Sequence, residues 1–341
     1  MNSPGAAVRV AIAGAASLRG KELKQLLEES DFPAAEIRLL DEEVVAGTLT
    51  EAAGEPAVIK TVTEDSFERV RFAFFTGSAK FSAAHGMEAI RSGAVVIDLS
   101  GGLRVQPNAR LWIPSLDSVL ASPAKMSGGG EVQGLFLVPS TPSHVAISIS
   151  AALAPLGLEH LAITFLQPVS ERGPEGIEEL ESQVVKLLSF QPVSQSVFDV
   201  QVGFNMLSKF GPESSEKLAD ARARIVDEVR TYLAGRSTMP AIALVQAPVF
   251  HAHAFTAYAE FKAPPAHNEV VKRLQASGLK VVAANEEPPN NVNVTGEAVP
   301  VLGQPDRDRG IENGLWLWGA ADNLRVPAAT AVAIAEKLLA S

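Results

Sequence analysis

Cysteine is absent from this chain of 341 residues. Its absence excludes disulfide bonds, thiolate metal sites and any reaction that begins at a thiol. Basic residues are also outnumbered, since 29 Lys and Arg stand against 39 Asp and Glu and give a formal net charge of −10. Nucleic-acid binding needs a basic surface for the phosphates, so this balance argues against a nucleic-acid partner.

Long hydrophobic runs are missing too. No apolar stretch of the sequence reaches the roughly 18 residues of a membrane span, and Met1–Val8 is too short and too polar for a signal peptide. We therefore expect a cytoplasmic protein without a membrane partner. Apolar residues make up 47% of the chain, which is enough for two domains with a core each.

The first part of the chain alternates short apolar runs with helical patterns. Such runs, without polar alternation, are typical of parallel strands covered on both faces. Their order predicts a Rossmann-like, doubly wound α/β domain at residues 1–142, completed by a C-terminal helix within 323–341. The predicted strands are Arg9–Ala13, Glu36–Leu40, Phe72–Phe75, Val95–Leu99 and Leu135–Val138, and Gly128–Gly130 is predicted to be a surface loop.

The second part, residues 143–322, has a different character. Its predicted strands are longer and richer in β-branched and aromatic residues, and amphipathic helices lie between them. This mixture predicts an α+β domain around a largely antiparallel sheet. The predicted strands are His160–Leu166, Ala241–Val249, Ala257–Phe261, Lys280–Ala284 and Gly314–Ala320, and the predicted helices are Glu175–Leu188 and Lys217–Leu233. The C-terminal helix that completes the first domain is predicted at Val326–Leu339.

The turn after the first strand indicates a nucleotide site. Gly14 and Gly20 bracket Ser17 and Leu18 between a strand and a helix, an arrangement in which backbone N–H groups reach a pyrophosphate at the positive end of the helix. Asp41 ends the second strand some twenty residues further on, where an acidic side chain binds a ribose 2′-hydroxyl. Two plainer interpretations stay open: the glycines serve only a tight turn, and Asp41 belongs to a solvated acidic loop.

A second feature is the segment Pro142-Ser143-His144, which an apolar run, Val145–Leu156, follows. The pattern predicts a tight entry into a helix, whose unpaired N–H groups can lower the pKa of a thiol and hold an oxyanion. The segment resembles the Pro-Asn-Cys-Thr-Thr motif of the aspartate-semialdehyde dehydrogenase family. The resemblance extends from Val8 to about Leu339, and it implies a Cys thiolate that attacks an aldehyde or acyl phosphate.

In this chain the position of that nucleophile holds His144, with Ser143 in the place of the neighbouring Asn. A shifted register offers Thr141 or Ser140 instead. None of these side chains replaces a thiol unaided, because a hydroxyl needs a positioned base and a neutral imidazole is a mediocre nucleophile. The alternative is that His144 only fills the position and forms a hydrogen bond at the helix start.

Other family positions are retained in part. The segment Gln246–His253 resembles Arg-Val-Pro-Val-x-x-Gly-His, so the resemblance gives His253 the acid–base role and puts Gln246 where the substrate-carboxylate arginine stands. Glutamine cannot form the bidentate ion pair of that arginine. By the same resemblance Gln167 positions substrate, Arg104 and Lys217 bind phosphate, and the glutamate for the substrate's amino group falls near Ser214.

The cofactor positions also depart from the resembled family, which is NADP-dependent. Ser17 stands in the place of the middle glycine of a Gly-x-x-Gly-x-x-Gly motif, and the acidic run Asp41–Glu43 would repel a 2′-phosphate. We therefore expect NAD rather than NADP, with binding that is weak or lost. The resemblance further implies a homodimer that forms through the second domain.

Three hypotheses follow for function. In the first, the protein has lost aspartate-semialdehyde dehydrogenase activity and keeps a cleft for a nucleotide or small anion. In the second, it is an active NAD(P)-dependent oxidoreductase acting on an aldehyde or acyl phosphate related to aspartate-family amino acid biosynthesis. In the third, His144, His251 and His253 hold Zn²⁺, with the last two facing one side of a strand.

Overall fold

The computed structural model describes residues 7–52, 55–120 and 134–340. The predicted loop Gly128–Gly130 lies outside these residues. The chain divides into two compact units. Unit 1 comprises Met1–Asp117, Ala121–Pro139 and Pro327–Ser341, and unit 2 comprises Ser118–Leu120 and Ser140–Val326.

The helices in the described part of the chain are α1 (Leu18–Glu29), α2 (Ala79–Arg91), α3 (Thr141–Leu153), α4 (Gly173–Leu188), α5 (Leu218–Leu233), α6 (His267–Ala276) and α7 (Arg325–Leu339). The strands of unit 1 are β1 (Val8–Ala13), β2 (Ala34–Asp41), β3 (Leu49–Ala52), β4 (Glu55–Val58), β5 (Lys60–Thr61), β6 (Phe72–Phe75), β7 (Val95–Asp98), β8 (Ala109–Leu111) and β9 (Leu135–Leu137). Those of unit 2 are β10 (Leu158–Gln167), β11 (Ala241–Gln246), β12 (His253–Phe261), β13 (Lys280–Val281), β14 (Val301–Leu302), β15 (Asp306–Arg307) and β16 (Gly314–Ala321).

Unit 1 is built around a parallel sheet in the order β5-β2-β1-β6-β7-β9-β8. Successive residues of β1 point to opposite faces, so Val10 and Ile12 join one core while Ala11 and Ala13 join the other. Helices α1 and α7 supply the first core and α2 supplies the second. This arrangement confirms the predicted Rossmann-like, doubly wound fold.

Unit 2 contains a mixed sheet in the order β11-β10-β12-β16-β14-β13, with β15 on β16. The pairs β10–β12, β12–β16, β14–β16 and β15–β16 are antiparallel, whereas β10–β11 and β13–β14 are parallel. Antiparallel pairs predominate, as predicted for this α+β unit. Helix α3 is buried along its whole length and packs against α5, α6 and β10.

One face of this sheet is only partly covered in the single chain. Trp316 and Trp318 point to the same side of β16 and are 43% and 42% exposed, while Leu315 and Leu317 between and beside them are buried. Their shared side follows from the two-residue alternation of a strand. Tyr258 of the neighbouring strand stacks near Trp316, with ring centroids 4.9 Å apart.

Several strands differ in length from the predicted ones, among them β12, β11 and β13. β12 starts at His253, four residues before the predicted Ala257, because the alanine-rich segment gives little local β signal and pairing with β10 and β16 extends the strand. β11 ends at Gln246, just before Ala247 and Pro248, whose ring nitrogen has no hydrogen to donate. β13 covers only Lys280–Val281.

Candidate functional site

The turn between β1 and α1 depends on both glycines for its shape. Gly14 has φ +96°, and a Cβ there would lie 2.1 Å from the Gly77 backbone nitrogen. A Cβ on Gly20 would lie 2.3 Å from the Gly14 carbonyl oxygen. The glycines therefore allow close packing of the turn against Gly77, which follows β6, and of α1 against the turn. This is the plainer of the two roles that the sequence left open for them.

Ser17 is the N-cap of α1, and Leu18 is its first helical residue. The Ser17 hydroxyl oxygen accepts from the Gly20 N–H at 2.9 Å and lies 2.7 Å from the Gly14 carbonyl oxygen. One of the helix N-terminal donors is thus already bound by protein. The cap side chain of Ser17 therefore occupies the Gly20 N–H that the sequence left open for a phosphate.

Asp41 is buried at the end of β2, with 8% of its surface exposed. One carboxylate oxygen accepts from the Ala16 N–H at 2.7 Å, and the other accepts from the Glu42 N–H at 2.8 Å. Its carboxylate therefore stabilises the turn that carries Ser17. Glu42 and Glu43, by contrast, are exposed at the same strand end, so they supply the negative charge that a ligand would meet there.

Arg104 follows β7 on a loop that a buried carboxylate organises. Asp98 accepts from the Ser100 N–H at 2.8 Å, from the Ser100 hydroxyl at 2.6 Å and from the Leu103 N–H at 2.9 Å. Burial raises the pKa of Asp98, and these hydrogen bonds oppose that rise. The loop ends in Arg104, whose side chain is exposed on unit 1.

The start of α3 carries the residues matched to the family nucleophile. Ser140 is the N-cap, and His144 lies in the first turn, where its N–H donates to the Ser140 carbonyl at 2.8 Å. Glu228 of α5 accepts from the Ser140 N–H at 3.0 Å and from the Ser140 hydroxyl at 2.7 Å. Ser143 is buried, and its hydroxyl lies 2.8 Å from that of Ser140. A carboxylate therefore already sits at the positive end of this helix.

His144 is 5% exposed, and burial lowers the pKa of its imidazole from 6.5 to about 4. Removal from water penalises the charged ring, so the side chain is neutral at pH 7. A neutral buried imidazole gives the start of α3 neither a thiolate nor a positive charge.

Gln167 and Gln246 face each other at the ends of the parallel strands β10 and β11. The Gln167 amide donates to the Gln246 side-chain oxygen at 3.2 Å. The Gln246 amide donates to the Gln167 carbonyl at 2.9 Å and to the Ala247 carbonyl at 3.0 Å. Gln246 is fully buried and Gln167 is 6% exposed. Both N–H bonds of Gln246 are therefore used inside the protein.

His253 opens β12, where the structure pairs it with a residue that the sequence did not single out. Its Nε2 lies 3.2 Å from a carboxylate oxygen of Glu171, and its ring packs edge-on against Phe165 at 6.3 Å. Glu171 lies in Ser170-Glu171-Arg172-Gly173, directly after β10 and its Pro168. The sequence offered one signal for Glu171, namely that it and Arg172 are adjacent charged residues soon after an apolar strand.

His251 does not share a strand face with His253, and the prediction that it would is wrong. The strand begins only at His253, and Ala252 between the two histidines has φ +64°, which breaks the extended backbone. Within the described residues, no group of three or more His, Cys, Asp and Glu side chains is arranged to hold a metal ion. His144, His251 and His253 all belong to those residues, and the structure does not bring the three imidazoles together.

Lys217 is the N-cap of α5, and its ammonium binds the loop before it. Its Nζ donates to the carbonyls of Gly211 at 3.2 Å, Ser214 at 2.9 Å and Pro212. Ser214 is buried, and its hydroxyl donates to the Val197 carbonyl at 2.8 Å. The contacts of Lys217 thus close the 211–214 loop.

The predicted residues divide between the two units. Unit 2 contains the start of α3, the loop that Lys217 closes, and the strand-end group Gln167, Gln246 and His253. Unit 1 contains the turn with Gly14, Ser17, Leu18 and Gly20, together with Asp41 and Arg104. Two carboxylates that the sequence did not indicate contact these residues: Glu171 contacts His253, and Glu228 contacts Ser140.

Comparison with known families agrees with both units. Residues 9–122 match the family model of the semialdehyde dehydrogenase NAD binding domain, and residues 150–326 match that of the semialdehyde dehydrogenase dimerisation domain. The chain therefore belongs to the semialdehyde dehydrogenase family.

Two kinds of name occur among its relatives. A USG-1 protein homolog of Pseudomonas aeruginosa is 30% identical and one of Azotobacter vinelandii is 28% identical, with alignments that cover 97% and 98% of this chain and 98% of each relative. Aspartate-semialdehyde dehydrogenase 2 of Vibrio cholerae is 28% identical over 97% of both chains. Among solved structures, a probable aspartate-semialdehyde dehydrogenase from Pseudomonas aeruginosa is 29% identical and superposes with a TM-score of 0.85 over 98% of both chains.

None of the helices in the described part of the chain is long and apolar enough to cross a membrane.

Proposed function

We propose that this protein is a member of the semialdehyde dehydrogenase family that does not catalyse the aspartate-semialdehyde dehydrogenase reaction and instead binds a nucleotide or a small anion. The observation that carries the proposal is the absence of cysteine from all 341 residues. Loss of a covalent nucleophile lowers a rate by several powers of ten, and positioning residues do not restore it. His144, in the matched position, is buried and neutral.

The substrate side of the site supports the same proposal. Gln246 stands where an arginine would bind the substrate carboxylate, and both of its N–H bonds are donated to backbone carbonyls. A carboxylate placed there would meet a neutral amide without a donor to offer. Gln167 is held on Gln246 in turn, so neither glutamine can reorient towards a ligand without breaking buried hydrogen bonds.

Anion binding in this proposal rests mainly on Arg104. Its side chain is exposed on a loop that Asp98 orders, whereas the ammonium of Lys217 is surrounded by carbonyl oxygens. Within unit 2 we assign Ser143, Gln246 and Lys217 to structural support and His253 to ligand contact.

For the cofactor we propose NAD in preference to NADP, with weak affinity. The exposed carboxylates of Glu42 and Glu43 oppose a 2′-phosphate, and Asp41 serves the turn rather than a ribose. The capped start of α1 weakens the pyrophosphate site for either nucleotide. Calorimetric titration with NAD and NADP checks this, with Ser17→Gly as the variant that opens the helix end. Tighter binding of NADP than of NAD would contradict it.

We also propose a homodimer that buries the open face of the unit 2 sheet. This face presents Trp316 and Trp318, both more than 40% exposed, on a unit that matches a dimerisation domain. Aromatic side chains of this kind supply much of the binding energy at interfaces. Sedimentation of the purified chain should give a dimer, and Trp316→Glu with Trp318→Glu should give a folded monomer. A wild-type monomer at micromolar concentration would refute the proposal.

The loss of the dehydrogenase reaction is tested by turnover. The purified protein, supplied with aspartate semialdehyde, phosphate and either NAD or NADP, should produce no reduced nucleotide above a protein-free control. His144→Cys should remain inactive as well, since it restores the thiol position without a carboxylate-binding arginine. Turnover by the wild-type chain that survives treatment with a thiol-alkylating reagent would refute the proposal.

One observation favours the second hypothesis, that of an active oxidoreductase acting on a different aldehyde or acyl phosphate. His253 and Glu171 lie in contact, as an acid–base pair of a working enzyme does. Screening acyl phosphates and small aldehydes with both nucleotides separates the two functions. An activity that His253→Ala abolishes would establish an enzyme, whereas nucleotide binding without turnover on any of these substrates supports a binding protein.

A further inference from the structure

The contact between Glu171 and His253 joins two segments that lie 82 positions apart. His253 is 1% exposed in its side chain, whereas Glu171 is 21% exposed. The pair therefore consists of a buried imidazole and a carboxylate that still reaches solvent.

The backbone around the pair fixes its geometry. The Val169 N–H donates to the Val249 carbonyl at 2.9 Å, and the Ser170 N–H donates to the Phe250 carbonyl at 3.1 Å. The side chain of Asn323 binds both segments. Its amide oxygen accepts from the Ala252 N–H at 2.9 Å, and its amide nitrogen donates to the Ser170 hydroxyl at 3.0 Å. The backbone segments that carry Glu171 and His253 are thus hydrogen-bonded to each other. Such support from neighbouring residues fixes the distance between the two side chains.

The chemistry of the contact decides which nitrogen of His253 carries hydrogen. An ionised carboxylate only accepts hydrogen bonds, so the ring nitrogen that faces Glu171 must be an N–H. In the neutral ring the other nitrogen, Nδ1, is then an acceptor with a free lone pair. Nδ1 is buried, and no hydrogen-bond partner for it is found among the residues that the structure describes.

We propose that Glu171 is a positioning residue that holds His253 as the Nε2–H tautomer, so that Nδ1 accepts a hydrogen bond from a hydroxyl or N–H group of the bound ligand. The ligand part of this inference rests on the proposed binding function, and the tautomer part stands without it. Any proton transfer at this site would then take place at Nδ1, with Glu171 acting only through the ring.

The neighbouring Arg172 provides a matched control. Its guanidinium has a carboxylate of its own, with Nη1 at 2.8 Å from Glu216, and Nη2 donates to the Ser215 hydroxyl at 3.0 Å. Glu216→Gln therefore removes the same charge from the adjacent ion pair without touching His253. Glu171→Gln removes the charge that faces the imidazole and keeps the size of the side chain.

Nitrogen NMR of the ¹⁵N-histidine-labelled full chain tests the tautomer at about pH 9, where imidazole rings are ordinarily neutral. In the wild type and in Glu216→Gln, the Nε2–H tautomer of His253 should exceed the Nδ1–H tautomer about tenfold or more, since the acceptor is charged. In Glu171→Gln the ratio should fall to within about threefold of parity. An Nδ1–H or doubly protonated ring in the wild type would overturn the proposal, as would an unchanged ratio in Glu171→Gln.

Inorganic phosphate, a small anion that carries an O–H donor as HPO₄²⁻ at this pH, probes the ligand part. Its addition to the wild type should shift the Nδ1 resonance of His253 more than the Nε2 resonance, and the shift should be smaller in Glu171→Gln. A shift confined to Nε2, or no shift at all, would overturn the acceptor role. Turnover in the separate enzymatic assay would refute the proposed function and leave the tautomer result standing.

Discussion

Replacing Gly14 by alanine separates two reasons why a turn needs glycine. The residue has φ +96°, a conformation that costs an L-amino acid about 1–2 kcal/mol. Its new Cβ would also lie 2.1 Å from the Gly77 nitrogen and 2.3 Å from the Gly77 Cα. These are backbone atoms of a strand end, so they cannot move aside as a flexible side chain would, and such crowding costs about 1–3 kcal/mol.

Two other glycines isolate each cause. Gly93 has φ +87° and nothing within 4 Å of the Cβ position, so Gly93→Ala reports the backbone conformation alone. Gly20→Ala has an ordinary helical φ but places Cβ 2.3 Å from the Gly14 carbonyl, so it reports crowding alone. We expect Gly93→Ala to cost about 1–2 kcal/mol and Gly14→Ala about 2–5 kcal/mol.

The assay needs a signal from unit 1. Of the three tryptophans only Trp112 lies in unit 1, where it is 1% exposed in the core. In a Trp316→Phe/Trp318→Phe background, urea unfolding followed by fluorescence reports that unit. The free energies of unfolding of the glycine variants are then compared without nucleotide. If Gly14→Ala costs no more than Gly93→Ala, the close approach to Gly77 is not what demands glycine.

Three further predictions concern buried and capping charges. Burial lowers the pKa of His144 to about 4, so between pH 6.5 and pH 4 the unfolded chain binds a proton that the folded chain does not. The free energy of unfolding should therefore fall as the pH drops through this range. In urea unfolding, His144→Gln should make the fall between pH 7 and pH 5 smaller by about 2 kcal/mol. Glu228→Gln should lower the free energy of unfolding by about 1 kcal/mol, because a charged acceptor is lost at the start of α3, whereas the exposed Asp227→Asn should change it by less than about 0.5 kcal/mol. Without nucleotide, Asp41→Asn should lower the free energy of unfolding by about 1–3 kcal/mol, and Glu43→Gln should leave it almost unchanged. Equal effects of Asp41→Asn and Glu43→Gln would show that Asp41 does not stabilise the turn.

Local pattern was sufficient for the elements of unit 1. The strand Phe72–Phe75 has the predicted bounds, and α1 begins at Leu18 because Ser17 caps it. Helix and strand periods are properties of a short segment, so the sequence reveals them. The early start of β12 could not be predicted, since residues 253–256 form a strand only because β10 and β16 lie on either side.

The site residues divide in the same way. The resemblance to the aspartate-semialdehyde dehydrogenase family singled out Gln167, Gln246 and His253, and the structure places them at the ends of neighbouring strands. Spacing could not show that Gln246 gives both its N–H bonds to backbone carbonyls or that Asp41 faces the Ala16 N–H. Glu171 was missed because an acidic residue after a strand is more often solvated than paired with a histidine.

By itself the amino-acid composition determined that no thiol chemistry can start in this chain, since 341 residues contain no cysteine. The order of apolar runs likewise determined a doubly wound unit followed by an α+β unit. Only the tertiary structure decided which polar groups remain available to a ligand. That question depends on partners far away in the chain, such as Glu171 for His253, and long-range packing alone brings such groups within hydrogen-bond distance.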